Sequence, residues 1–134
     1  MHSARGGWGD LARPVEAVKR LLERWLEGRR RGYVLTLVAL RRLEERGEEA
    51  TVERVREEGL RILERTEGRI DWGVTRDEYT VNMVSSVLRE LAESGLVEMV
   101  DGGRSIVRYR IARDAEEEFL SSFGHLLQLV RMPK

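Results

Sequence analysis

The residues best suited to chemistry in this chain lie between Arg76 and Arg110. If Thr80 caps a helix, Asn82, Met83, Ser85, Ser86 and Arg89 are its outward positions near the N-terminal end. An asparagine amide matches the donor and acceptor edge of adenine, and a serine hydroxyl suits a base or a phosphate. An arginine a turn or two further on is better placed for a phosphate. Arg104 closes the turn Asp101-Gly102-Gly103-Arg104, and Arg108 and Arg110 follow it at alternate positions. Arg76 and the amides near Thr80 offer further places to hold phosphate, opposed by Asp77 and Glu78. The chemistry available is contact with duplex nucleic acid. Each position also has a plainer reading: the two serines as small solvated residues, and Arg108 or Arg110 paired across a hairpin with Glu98 for roughly 0.2–1 kcal/mol.

Catalytic chemistry has little to work with. The sequence has no cysteine and two histidines, His2 near the start and His125 beside apolar residues of the last helical stretch. No pair has metal-ligand spacing, no glycine-rich loop fits a phosphate cradle, and no nucleophile has an evident base. The chain is expected to be no enzyme and to carry no cofactor or metal.

Stepping along the 134 residues, a glycine-rich start to Asp10 is expected to be flexible. Residues 11–32 follow as a helix opened by Pro14, with Val15, Val18, Leu22 and Trp25 on one stripe. A second helix runs from about Tyr33 to Arg46 and stops at Gly47. A third starts at the cap Thr51 and ends near Gly68. Residues 68–79 form a connection with little regular structure. The fourth helix, Thr80 to Ser94, buries Val84, Val87, Leu88 and Leu91 and closes on Gly95. Leu96–Val100 and Ile106–Ile111 then read as two strands of a hairpin. Asp114 is the expected cap of a final helix in residues 112–134.

The phrase VLRELAESGLVE directly before a hairpin, after three helices, resembles the winged helix-turn-helix family. The matching residues are Val84, Val87, Leu88, Leu91, Gly95, Leu96 and Val97, the turn Asp101 to Arg104, and the strand end Tyr109 to Ile111. The resemblance covers about residues 33–111 and is similar both to PadR- and MarR-type regulators and to the winged-helix domain of archaeal replication initiators. It implies a mainly α fold with a small β-hairpin, a winged helix-turn-helix core with added N- and C-terminal amphipathic helices. It further implies a sequence-specific double-stranded DNA binder, a transcriptional regulator with helix 80–94 as recognition helix and hairpin 97–111 as wing. The twelve-residue connection departs from the three- or four-residue turn of a compact helix-turn-helix. A protein-interaction subunit of a transcription or replication assembly is the alternative.

Net charge is zero, with 24 basic and 24 acidic residues, which argues against nonspecific coating of DNA. The basic groups are nearly all arginine, 22 of 24, a bias that GC-rich coding or an archaeal or thermophilic habitat could produce. Their distribution is uneven: residues 1–42 carry ten basic and four acidic groups, and residues 101–113 carry four and one. Residues 43–67 reverse this, with five and nine, the best support for the protein-binding alternative. Leu22, Trp25, Phe119, Phe123 and Leu127 on the terminal helices exceed what a small core needs, and a homodimer is the expected cover. It would set two recognition helices about one turn of DNA apart. Nothing names an effector ligand. No apolar run is long enough to span a bilayer, and a cytoplasmic location is expected.

Overall fold

The computed structural model describes residues 32–101 and 107–131. The expected N-terminal helix, with Leu22 and Trp25, and the hairpin tip with Arg104 lie outside them. Among the described residues the fold is mainly helical with one small antiparallel hairpin. The elements are α1 (Gly32–Glu45), α2 (Val52–Arg65), α3 (Val81–Glu93), β1 (Val97–Asp101), β2 (Val107–Ile111), a single 3-10 turn (Arg113–Ala115) and α4 (Glu116–Arg131).

α1 is the centre of the molecule. Every residue from Gly32 to Leu40 is buried, so this part of the helix is covered on all sides, and charged residues appear only from Arg41 onward. Its buried Thr36 hydroxyl is satisfied by the Tyr79 hydroxyl at 2.8 Å. α2 and α3 pack on α1, and both start with a threonine cap. Thr51 Oγ1 accepts the Arg54 N–H and Thr80 Oγ1 accepts the Met83 N–H. Each cap takes up an amide that the first turn of a helix leaves unpaired.

Glycine ends two of the helices in the same way. At Gly47 (φ 69°) the Glu48 N–H donates to the Leu43 carbonyl and the Gly47 N–H to that of Glu44. At Gly95 (φ 87°) the pairs are Leu96 to Leu91 and Gly95 to Ala92. Both are left-handed caps of the Schellman type, and the second aims the chain directly into the hairpin.

In that hairpin Val97 opposes Ile111, Met99 opposes Tyr109 and Asp101 opposes Val107. Val97, Tyr109 and Ile111 of this face are buried against the helices, while Met99 and Val107 stand exposed further out. The Tyr109 N–H donates to the Ala50 carbonyl at 3.0 Å, so the short link between α1 and α2 runs along the free edge of β2. Glu44 of α1 accepts the Ile111 N–H at 3.1 Å. The hairpin is thus tied to the helices by backbone groups as well as by its apolar face.

Residues 68–79 carry no helix or strand, as expected of a connection, and they are pinned to the core by specific side-chain bonds. Trp72, 2% exposed, donates its indole N–H to Thr66 Oγ1, whose hydroxyl donates to the Ile62 carbonyl. Thr75 and Glu78 exchange side-chain to backbone bonds and set up a single turn that ends at Tyr79. The Tyr79 ring lies on Gly59 in mid-α2, where a Cβ would sit 2.4 Å from the ring. Arg56 Nε holds the Tyr79 carbonyl at 2.9 Å.

Expectation needs correction at α4. Asp114 makes no cap; the 3-10 turn enters the helix, and Glu116, Glu117 and Glu118 occupy the first turn, where the helix dipole favours acids. Phe119, Phe123 and Leu127, each 1% exposed, are buried within the single chain and so are unavailable as a dimer face. Phe119 and Phe123 pack ring on ring, with centroids 5.6 Å apart.

Candidate nucleic-acid interface

α3 has two chemically distinct sides. Val84, Val87, Leu88 and Leu91 are buried against α1 and α2. Asn82, Ser86, Arg89 and Glu93 are exposed, and their spacing of four, three and four residues places them on one stripe. The side chains of Asn82 and Arg89 make no hydrogen bond or ion pair with another described residue. This stripe carries an amide, a hydroxyl and a guanidinium over about two turns of helix.

Other residues expected at the site have different roles. Thr80 is exposed, but its hydroxyl is engaged as the cap of α3. Ser85 is half-buried. Met83 is turned inward and packs on Gly32, where an added Cβ would stand 2.6 Å from its methyl carbon. It is not an outward position, because the helix phase puts residue 83 one step before buried Val84 and toward the start of α1. Arg76 is exposed but lies beside Asp77 on the rim of an acidic cleft at the far end of the connection.

The wing arginines are already partnered. Arg110 pairs with Glu98 directly across the hairpin at 2.8 Å, and Arg108 pairs with Glu49 at 3.3 Å. Both pairs are well exposed, so each contributes little to stability, with a typical value of about 0–1 kcal/mol. Arg108 and Arg110 lie on the hairpin face opposite Tyr109, together with Glu98 and Val100. Arg110 thus makes the cross-hairpin pair with Glu98, while Arg108 meets Glu49 of the α1–α2 link instead.

Sequence reasoning missed Arg56. It is half-buried on α2, and its bond to the Tyr79 carbonyl places a guanidinium next to the residue preceding the α3 cap. Its Nη groups have no hydrogen bond to another described residue. The only signal in the sequence would have been an arginine one turn into α2; the partner is a carbonyl 23 residues away, which no local pattern encodes.

Much of the remaining arginine serves the scaffold. Glu58, 3% exposed, accepts from both Nη groups of Arg46 at 2.6 and 3.2 Å and from Arg61 at 3.3 Å. These bonds push the Arg46 guanidinium pKa further up, so it is always charged, while Arg46 in turn holds the Glu48 carboxyl below the ordinary range. Arg41 pairs with Glu116 at 2.6 Å and Arg131 with Glu45, which ties α4 to α1. Among the described residues Arg41, Arg42, Arg46, Arg54, Arg61, Arg108, Arg110 and Arg131 are all committed to ion pairs.

Among the described residues no group of acidic and histidine side chains is arranged to hold a metal ion. No described helix is long and apolar enough to cross a membrane. No family model, curated protein or solved structure matches the chain.

Proposed function

We propose that the protein binds double-stranded DNA with α3 in the major groove and the hairpin against the backbone. The observation that carries this reading is the exposed Asn82, Ser86, Arg89 stripe on a helix otherwise locked into the core. A helix of this width fits the major groove, and rigid placement of its polar face limits the ordering cost of binding. Arg56 and the first-turn amides of α3 supply positive charge and donors at the end where a phosphate would lie. The order of three helices and a hairpin, with the Ala50 link on the edge of β2, supports a winged helix-turn-helix arrangement. Regulation of transcription is the role such binding would serve. A homodimer would have to form through surfaces other than Phe119, Phe123 and Leu127.

The test is a fluorescence-anisotropy titration of mixed duplex DNA across a range of salt. Wild type is expected to weaken steeply as salt rises. Arg89→Ala should lower the log–log slope by about one unit, and Asn82→Ala should cost about 1–3 kcal/mol on a preferred site. Absence of binding at low salt would overturn the proposal. The competing reading, a protein-binding module, is favoured by one observation: Arg108 and Arg110 are neutralised by Glu49 and Glu98.

A further inference from the structure

Between the last turns of α2 and the 68–77 segment lies a cleft of about 470 Å³. Its lining is mixed: Leu63, Ile70, Val74 and Trp72 give it apolar patches among polar groups, and the first three are only partly buried. Its rim carries four carboxylates, Glu64, Glu67, Asp71 and Asp77, against one guanidinium, Arg76. These five side chains sum to −3; Arg65 and Arg69 lie in the same stretch but outside the lining, with Arg69 turned onto the Arg65 carbonyl. Glu64, Glu67 and Asp77 make no ion pair with a described residue, whereas Glu45, Glu48, Glu58 and Glu98 elsewhere are all paired with arginine. Acids without an ion pair to a described residue also occur elsewhere, among them Glu53 and Glu57 of α2, and the cleft differs in gathering three of them around one opening.

The walls are also set in advance. The Trp72 indole is held by Thr66, the Thr66 hydroxyl by the Ile62 carbonyl, and Asp71 closes a tight turn by accepting the Gly73 N–H at 2.8 Å. A preformed trough lets a ligand bind without ordering the protein first. Because the carboxylates stand exposed around it, the site would cover one side of a ligand rather than enclose it.

We propose that this cleft docks a basic peptide segment of a partner protein, one or two aliphatic side chains entering the trough and flanking arginine or lysine residues meeting the rim. The charge decides the class of partner. A nucleic acid or an acidic peptide would meet three surplus negative charges, while a cationic segment gains from them, in rate of association as well as affinity. The proposal does not rest on the DNA reading, since α3's exposed stripe and the cleft use different residues. Arg76 opposes it locally, which makes that residue diagnostic.

The experiment uses the full chain and a fluorescein-labelled twelve-residue peptide of alternating arginine and leucine. A glutamate and leucine peptide of the same length is the control. The arginine peptide is expected to bind wild type at micromolar concentrations, and the glutamate peptide is expected not to bind. Glu64→Gln/Glu67→Gln/Asp77→Asn should weaken the arginine peptide about tenfold or more, and Arg76→Gln should tighten it. These side chains are exposed, so the variants should keep the wild-type circular dichroism, and the triple variant, which loses only acids, should keep duplex affinity no lower than wild type. Equal binding of the arginine peptide to wild type and the triple variant would overturn the proposal. So would equal binding of the two peptides, or no binding up to about 1 mM.

Discussion

Replacing Gly59 with alanine should destabilise the protein, although helix propensity alone says the reverse. In a helix interior alanine is favoured over glycine by roughly 0.5–1 kcal/mol. Here the new Cβ would stand 2.4 Å from Tyr79 Cε2 and 2.9 Å from Cζ and the hydroxyl oxygen. The ring has no easy retreat. It is fully buried, its hydroxyl is bonded to Thr36 at 2.8 Å, and its carbonyl is held by Arg56. Overpacking of this kind costs about 1–3 kcal/mol, so the expected net loss is about 1–2 kcal/mol after the propensity gain is subtracted. Urea unfolding of Gly59→Ala measures it. The same substitution in a Tyr79→Ala background removes the ring and should become stabilising by up to about 1 kcal/mol, a reversal of sign. Because Tyr79 precedes the α3 cap, Gly59→Ala should also weaken duplex binding under conditions where the variant remains folded. A Gly59→Ala protein more stable than wild type would refute the reasoning, for it would mean that the connection does not lean on α2.

Three further outcomes are expected. Glu58→Ala removes the buried acceptor of Arg46 and Arg61, and should cost about 2–4 kcal/mol by urea unfolding, well above a surface charge deletion such as Glu53→Ala. Burial holds the Glu44 carboxyl above its ordinary range despite the Ile111 N–H, so the folded state takes up a proton more readily than the unfolded chain. Ionised Glu44 therefore costs stability once pH rises through that raised value, and the cost is absent below the ordinary carboxylate range, where both states are protonated. Glu44→Gln should accordingly be more stable than wild type at neutral pH and equal to it in acid, which thermal unfolding across pH would show. Arg108→Ala or Arg110→Ala should shift unfolding by no more than about 1 kcal/mol, and should weaken DNA less than Arg89→Ala because each wing arginine must first leave its carboxylate.

The local instructions of the chain were legible in its residues. Thr51 and Thr80 are caps because a hydroxyl three residues before an amide can reach it, whatever the rest of the fold does. Gly47 and Gly95 end helices because their positive φ suits a residue without a Cβ. The spacing of Val84, Val87, Leu88 and Leu91 assigned the buried side of α3, and alternation assigned that of β2. The exposed Asn82, Ser86 and Arg89 followed from the same periodicity.

Contacts between distant segments were decided only by the tertiary structure. Nothing in residues 68–79 shows that Tyr79 will find a glycine 20 positions earlier and a threonine 43 positions earlier, or that Arg56 will hold its carbonyl. The same holds for the arginines. Their identity marks them as phosphate binders and as carboxylate partners alike, and the choice between Arg108 meeting Glu49 and Arg89 standing free depends on which surfaces the fold brings side by side. Phe119, Phe123 and Leu127 show the limit most plainly: an apolar stripe declares that it must be covered, and periodicity carries no information about whether the cover is a second copy or the chain's own core. Hydrogen bonds along a helix are local and readable, while burial is a property of the whole packed chain.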